Sequence, residues 1–443
     1  MFVHCLNNYL RSNILAFFLT ALLLFPGYGV GQTDDPQGQL TIEDIEIDGN
    51  TKTKPYVIFR YLTIKKGNPL NISEILANQH ILTQTDFFSS VDIYTRPGSE
   101  KTKVVVIIEV EERKWPLYRF EGGSSDLEGW YIIPVSFRLD NFFGRGNIFG
   151  WQWRIGNLAS GSSFNYRKPD VFGSSGFLDI DLFFESQEFI HYIDEIDTSE
   201  NVKSTGLRLK WGGTKGWFKH IYFTYNIIRY KPYYNDFLAL HFPDDFKITV
   251  FSALGLGLHT DLRDNSEYPL SGIWGSVSGE LVIKDIGKEI AFPKFLVAGR
   301  YYRRMFGRNV IAFHLKGGYT GGNAPFYERF YLGGAYSLRG YLNRRLAPIG
   351  WGTKLLLAQC EIRFPLSTRN FPNHRHTAIL FYDMGGIWLP DQPPGIDDFY
   401  HSVGFGYRIK LPIVDIVRVD LSFPLNTVDN NHFIFHVSLG HTF

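Results

Sequence analysis

The chain has 443 residues and a formal net charge of +1, with 45 Lys and Arg against 44 Asp and Glu. This balance argues against nucleic acid or a charged membrane surface as a partner held by bulk charge. A hydrophobic content of 44%, 16% aromatic residues and 44 glycines do not fit a helical membrane protein, and the glycines fit many strands and tight turns.

The first element in chain order is a short apolar run. Residues 14–26, "ILAFFLTALLLFP", follow a start in which Arg11 is the only charged side chain. The pattern predicts a signal peptide over residues 1–31, cleaved near Gln32, because the run is too short for a spanning helix. The alternative is an amino-terminal helical anchor. No later apolar run reaches the roughly twenty residues of a spanning helix, so we expect that the exported chain would enter a membrane as a closed barrel.

Residues 38–113 are predicted to form a small α+β domain. "LTIEDIEIDGN" alternates polar and apolar residues up to a Gly-Asn turn, and "PYVIFRYL" and "NISEILANQHIL" show helical signals. "FSSVDIYTR" and "KVVVIIEVEE" then read as two strands, which gives the order βααββ.

Residues 114–443 are predicted to form an all-β membrane barrel of about 16 antiparallel strands. In "FLDIDLFFES" the apolar residues alternate with Asp and Glu, which is typical of strands with lipid on one face and a polar lumen on the other. The predicted strands are 117–123, 128–139, 147–156, 160–168, 174–186, 203–213, 217–230, 247–260, 271–284, 291–304, 308–320, 353–365, 375–388, 400–411, 415–424 and 432–443.

The connections between these strands fall into two classes. Short turns such as "FFGRGN" and "MFGR" lie on the side of the small domain, and longer loops lie opposite. The longer ones include "QEFIHYIDEIDTSEN", "KPYYNDFLALHFPDD" and the segment 321–352. This asymmetry fits short periplasmic turns and longer external loops.

The small domain resembles the polypeptide-transport-associated (POTRA) domain. The resemblance rests on the "IEIDGN" opening, Gly67 between the helices, "TDFFSSVDI" before the second strand and a last strand that ends in "VEE". Another α+β sandwich with the same order of elements is the alternative.

The barrel resembles the BamA/TamA superfamily of outer-membrane assembly and transport barrels. "FYDMGG" (381–386), "GFGYRIKLPIVDIVRVDLSFPL" (404–425) and "DNFFGRGN" (140–147) resemble family motifs and follow in the family's order. A further match lies in the loop that joins the eleventh and twelfth predicted strands, where the motif residues are Gly333, Gly334, Ser337, Leu338, Arg339, Gly340 and Tyr341.

The resemblance implies that this loop, 321–352, folds into the lumen and that carboxylates hold Arg339. Alternation places Asp383 and Glu361 on inward faces, so they are the expected partners, and bidentate contact would clamp the loop. The alternative is a solvated arginine in an external loop.

The last predicted strand, "HFIFHVSLGHTF", places Leu439 and Phe443 on the lipid side by alternation. The resemblance implies that the terminal aromatic is an assembly signal and that the first and last strands meet in a weak seam. "LYRFEGG" is short and ends in glycine, so it is a plausible weak edge. A fully zipped seam is the alternative.

No HExxH, GxSxG, P-loop or paired CxxC motif occurs in the chain, so an enzyme is not expected. His374 and His376 share a strand face but lack a third ligand, and the acidic group Asp194, Glu195 and Asp197 reads as a solvated loop. No metal site and no cofactor are predicted.

These features predict a bacterial outer-membrane barrel with a periplasmic POTRA domain that inserts or translocates unfolded client proteins. The mechanism would be strand addition at the seam and at a POTRA edge near Val91 and Ile93. Besides clients, the outer-membrane bilayer and other envelope-assembly subunits are expected partners, and nucleic acid is not. Family members with an essential assembly role carry several POTRA domains, so the alternatives are a dedicated secretion pore and a passive channel or structural subunit.

Overall fold

The computed structural model describes residues 40–443 except 86, 115–116, 170, 172–175, 194–195, 217, 234–235, 267, 285–288, 367–375, 412–414, 427, 429–430 and 441–442. The predicted signal peptide therefore lies outside the described residues. No helix within the described part of the chain is long and apolar enough to cross a membrane.

The amino-terminal domain has the predicted order βααββ. Its elements are β1 (Thr41–Asp48), α1 (Pro55–Phe59), α2 (Ile72–Gln84), β2 (Phe88–Pro97) and β3 (Lys103–Glu112). Pro55 opens α1, where its missing N–H costs nothing, and the Asn71 side chain accepts a hydrogen bond from the Ser73 N–H at 2.9 Å to cap α2. The sheet order is β1-β3-β2, with β1 parallel and β2 antiparallel to β3, so β2 is an edge strand.

The core of this domain joins both helices to the sheet. Val57 and Ile58 of α1 and Leu82 of α2 are fully buried, and they pack in one cluster with Val106 and Ile108 of β3. Each such side chain contributes roughly 1.5–3 kcal/mol through burial, which two short helices need because helices of this length are marginal on their own.

The rest of the chain forms a sixteen-stranded antiparallel barrel, which confirms the predicted fold class. Each strand pairs with the next along the chain, from β4 to β19. The strands are β4 (Leu117–Ser125), β5 (Gly129–Phe142), β6 (Asn147–Gly156), β7 (Ala159–Pro169), β8 (Gly176–Ile193), β9 (Ile196–Lys215), β10 (Phe218–Pro232), β11 (Thr249–Asp261), β12 (Gly272–Lys284), β13 (Glu289–Arg304), β14 (Val310–Thr320), β15 (Lys354–Pro365), β16 (His376–Trp388), β17 (Tyr400–Leu411), β18 (Asp415–Pro424) and β19 (Ile434–Leu439). A short helix, α3 (Asp236–His241), lies between β10 and β11.

Alternation along the strands sets apart the two faces of the wall. On β16 the Leu380 side chain is 52% exposed on the outer surface, whereas Asp383 is fully buried in the interior. Val277 and Leu281 of β12 are likewise exposed and apolar. An outer surface of exposed apolar side chains is what a hydrocarbon environment requires.

One predicted loop is wrong. The segment "QEFIHYIDEIDTSEN" (187–201) continues β8 and β9, whose ladder runs from Gln187 paired with Val202 to Ile193 paired with Ile196. The reason is packing: the Phe189 ring lies 5.0 Å from the ring of Trp351, which belongs to the long inward loop. That stabilising contact joins distant parts of the chain and leaves no local trace.

Candidate functional site

The segment between β14 and β15, residues 321–353, lies inside the barrel. We refer to it as the inward loop. A 3-10 helix over Phe326–Glu328 and an isolated bridge from Phe330 to Gly352 give it local structure. It is anchored by an apolar cluster with the inner faces of β15 and β16, made up of Phe330, Leu332, Leu338, Tyr341, Leu346, Leu355, Leu357 and Ile387.

Three glycines of the loop motif allow the backbone to approach the wall. Gly333, Gly334 and Gly340 have φ values of +102°, +123° and +88°, a region that side chains disfavour. A Cβ at Gly334 would lie 2.5 Å from the Asp126 carboxylate, and one at Gly340 would lie 2.9 Å from the Ser402 Cβ. Side chains at these positions would therefore push the loop off the wall.

Arg339 is fully buried at the centre of the loop. Its Nε and Nη2 each donate to the Asp383 carboxylate at 2.7 Å, and its Nη1 donates to Glu361 Oε1 at 2.8 Å. The guanidinium also lies 3.5 Å from the centre of the Phe381 ring. These are the two carboxylates that the sequence analysis named as partners, and the geometry is bidentate toward Asp383.

The Arg339 contacts belong to a larger buried ion network that the sequence analysis did not describe. Arg363 Nε donates to Glu361 Oε2 at 2.9 Å, and Arg408 Nη1 donates to Asp420 Oδ1 at 2.5 Å. Arg418 Nε lies 3.6 Å from Asp420. Each charge here is unfavourable to bury alone and depends on its partners, so the network ties the loop to β15, β16, β17 and β18 together.

A second arginine, Arg344, anchors the loop to the opposite wall. It is fully buried, and its guanidinium donates to the backbone carbonyls of Asp126, Leu127 and Glu188. Its own φ is +63°, which is unfavourable for a side chain other than glycine. The sequence analysis missed Arg344, because nothing in "NRRL" distinguishes it from a solvated loop residue.

The other motif residues also lie within the lumen. The Ser337 carbonyl accepts from Gln359 Nε2 of β15 at 2.8 Å, and Leu338 is fully buried. The Tyr341 hydroxyl lies 3.0 Å from the His401 carbonyl and 3.2 Å from the Asn426 carbonyl. The structure thus brings all seven motif residues into one compact loop against the wall.

The seam lies between β4 and β19. Among the residues that the structure describes, no ladder of backbone hydrogen bonds joins these two strands. The Leu439 N–H of β19 instead donates to the Ser124 Oγ of β4 at 3.0 Å. The barrel is therefore nearly closed, and side chains bridge its first and last strands.

Phe443 corrects the sequence analysis, which placed this ring on the lipid side. Its side chain is only 6% exposed and lies inside the barrel, where its ring stacks on His314 of β14 at a centroid distance of 5.0 Å. The cause is Gly440, whose φ of +79° ends the alternation of β19. Before that glycine the outward alternation holds, since Phe433 and Phe435 are about 60% exposed, at 59% and 60%.

The named POTRA edge lies on β2, which is an edge of the small sheet. Val91 is buried in the domain core and Ile93 packs against it, so a partner strand would meet backbone groups here rather than these side chains. Gln79 of α2 donates to the Val91 carbonyl at 2.7 Å. An incoming strand that uses this carbonyl has to displace that amide.

The small domain contacts the barrel at the turn between β5 and β6. The Lys54 N–H donates to the Gly144 carbonyl at 2.9 Å, and Asn141 Nδ2 donates to Thr53 Oγ1 at 2.6 Å. The Glu112 carboxylate, at the end of β3, accepts from the N–H groups of Lys52 and Thr53. Burial opposes ionisation of Glu112, but these hydrogen bonds outweigh it and lower the pKa of this carboxyl.

The weak metal candidates of the sequence analysis gain no support. His374, Asp194 and Glu195 lie outside the described residues, and the His376 ring bonds the Tyr407 hydroxyl at 2.6 Å. Within the described residues no group of three His, Cys, Asp or Glu side chains is placed to hold a metal ion.

Two family models match the chain. One, described as an Omp85 superfamily domain, matches residues 141–443, and one described as a surface antigen variable number repeat, the POTRA model, matches residues 40–113. The curated relatives include the outer membrane protein assembly factor BamA of Nitratidesulfovibrio vulgaris, 25% identical over 87% of this chain and 48% of its own length. BamA of Neisseria meningitidis serogroup B is 22% identical over 80% of this chain and 47% of its own length. The chain thus spans about half the length of these curated relatives.

Solved structures share the fold. BamA from Haemophilus ducreyi lacking POTRA domains 1–3 superposes with a TM-score of 0.72 and 17% identity, covering 90% of this chain and 84% of that one. CdiB from Acinetobacter baumannii superposes with a TM-score of 0.61 and 15% identity, covering 91% of this chain and 74% of that one. At these identities the likeness concerns the fold alone.

Proposed function

Because the chain belongs to the Omp85 superfamily, we propose that it inserts client proteins into an outer membrane, or passes them across it, by adding client strands to exposed backbone edges. The barrel lies in the outer membrane and the POTRA domain in the periplasm. Its partners are the lipids of that membrane, unfolded client proteins and other envelope-assembly subunits. The mechanism needs neither a cofactor nor nucleic acid.

The observation that carries this proposal is the seam between β4 and β19. Side chains bridge it where neighbouring strands elsewhere in the wall share a continuous ladder. Opening it therefore breaks few hydrogen bonds and leaves two strand edges. An extended client can bind such edges through its own backbone, whatever its side chains are.

The β2 edge of the POTRA domain offers a second place for strand addition. Val91 and Ile93 lie on this edge, and the Gln79 amide covers one of its carbonyls in the absence of a client. A client strand held there would wait on the periplasmic side of the barrel. From that position it could move on to the seam.

The packed lumen argues against a passive channel. Arg339, Arg344 and Leu338 of the inward loop are all fully buried, so this segment fills the space through which solutes would pass. A dedicated secretion pore differs from an insertase in the fate of its client, which crosses the membrane instead of staying in it.

The decisive experiment is depletion of the protein in its native host, followed by quantitative proteomics of envelope and medium. An insertase predicts loss or misfolding of outer-membrane barrels, and a secretion pore predicts loss of one or a few exported proteins from the medium. Complementation with the wild-type chain is the control. The proposal fails if no envelope or exported protein changes in abundance.

A further inference from the structure

The hydroxyl of Tyr336, in the inward loop, lies between the first and last strands of the barrel. It is 2.5 Å from Ser124 Oγ on β4, and it donates to the Leu439 carbonyl on β19. The Leu439 N–H in turn lies 3.0 Å from both the Tyr336 hydroxyl and Ser124 Oγ. One phenol therefore contacts both sides of the seam.

These contacts satisfy the backbone of Leu439. Elsewhere in the barrel wall a peptide group at this position would exchange its N–H and C=O bonds with the next strand. Here Tyr336 and Ser124 occupy both groups of Leu439, at an edge that would otherwise be open to pairing. The loop side chain thus stands in for a ladder partner.

Three further contacts fix the position of Tyr336. Its own N–H donates to Asp126 Oδ2 at 2.8 Å, on the turn after β4. Arg418 of β18 places its guanidinium 4.3 Å from the centre of the Tyr336 ring and donates to the Ala335 carbonyl at 2.7 Å. The tyrosine is held from the β4 side and from the β18 side at once, so it cannot follow both sides when they separate.

We propose that Tyr336 is a latch that couples the inward loop to the seam. An extended strand of a client that adds to β19 must take the N–H and C=O of Leu439 from Tyr336, so client entry and loop displacement are linked. The occupant is the backbone of an unfolded polypeptide, and this part of the inference rests on the proposed function. The closing effect of Tyr336 on the empty barrel does not.

The latch can be tested on the full mature chain in phosphatidylcholine nanodiscs without any client. In a Cys360→Ser background, spin labels at Ile155 of β6 and Val437 of β19 report the seam, because both side chains are outward and exposed. A second pair at Leu256 of β11 and Leu315 of β14 spans the same number of strands within the paired wall. We compare wild type with Tyr336→Phe, which removes one oxygen and keeps the ring on Arg418.

The matched control is Tyr341→Phe in the same loop. The Tyr341 hydroxyl also meets two carbonyls, but these lie on the side of β17 and β18, which a ladder joins. Retention of the compact, heat-modifiable band in electrophoresis checks that each variant is folded. Ser124→Ala, which removes the other bridging hydroxyl, provides an independent perturbation of the same junction.

Pulsed electron resonance should show the Ile155–Val437 distance broadened in Tyr336→Phe, with a population at least one strand spacing, about 4.8 Å, longer than in wild type. Ser124→Ala should move it in the same direction, and Tyr341→Phe and the reference pair should not change. An unchanged seam distance in folded Tyr336→Phe overturns the latch. A widened seam with no client effect on depletion would keep the latch and overturn the proposed function, so the two failures are distinguishable.

Discussion

Arg339 and Asp383 form a two-pronged ion pair in the lumen, with two nitrogens of the guanidinium each 2.7 Å from one carboxylate oxygen. Both side chains are fully buried. The pair joins the inward loop to β16 across about forty residues of sequence, with a separation of 44. Its contribution depends on burial, because a charge left there without its partner has no water to solvate it.

Replacement of Arg339 by alanine should lower the free energy of unfolding of the barrel by about 3–5 kcal/mol, because it strands Asp383 and Glu361. Urea titration of the refolded chain in lipid measures this. The control is Arg167→Ala. Arg167 contacts Asp179 with the same two-pronged geometry, at 2.6 and 2.7 Å, but is half exposed, so its loss should cost about 0–1 kcal/mol. Equal losses for the two variants would contradict the assignment of Arg339 as a buried clamp.

The ring of Phe443 should contribute to stability from inside the barrel. Phe443→Ala leaves a cavity against His314, Tyr302 and Val310, and a buried Phe→Ala change typically costs about 3–5 kcal/mol. Phe435→Ala is the control, since that ring is 60% exposed on the outer face of β19. Unfolding in detergent, outside the cell, separates this effect from recognition during assembly. A larger loss for Phe435→Ala than for Phe443→Ala would restore the lipid-side assignment.

How far the sequence predicts this molecule depends on the range of the contacts. The strand number followed from period-two alternation, which is local. Arg339 and its carboxylates followed from a family motif. Tyr336 and Arg344 escaped notice because their partners Ser124 and Asp126 lie 212 and 218 residues away, and no short pattern encodes such contacts. Phe443 was misplaced because alternation was extended past Gly440, where the backbone turns.

The turn between β5 and β6 should control docking of the POTRA domain. A Cβ at Gly144 would lie 1.9 Å from the Lys52 carbonyl oxygen, so Gly144→Ala should separate the two parts at this point. Hydrogen exchange of the amides at 51–54 should then be faster. Gly307→Ala is the matched control, because Gly307 has a similar φ of +62° and a Cβ there meets nothing within 4 Å. Faster exchange in both variants would mean that backbone strain, and not the clash, loosens the contact.

The same junction should respond to pH through Glu112. The pKa of this carboxyl is lowered in the folded state, because hydrogen bonds from Thr53, Lys52 and Thr51 outweigh the effect of burial. The stabilisation it contributes is therefore complete above the ordinary Glu pKa of about 4.3 and is lost as pH falls through the lower folded value. Protection of the amides of Lys52 and Thr53, corrected for intrinsic exchange, should be constant near neutrality and fall in that acidic window.

Glu112→Gln should show weak protection of these amides already at neutral pH, with little further change on acidification, since a neutral amide cannot reproduce a carboxylate that accepts several N–H and O–H bonds. Glu111→Gln is the matched control: it neighbours Glu112, but its carboxylate bonds Ser90 at 3.4 Å and none of the residues of the junction. That variant should retain the wild-type pH profile. An acidic loss of protection that persists unchanged in Glu112→Gln would place the sensitive group elsewhere in the domain.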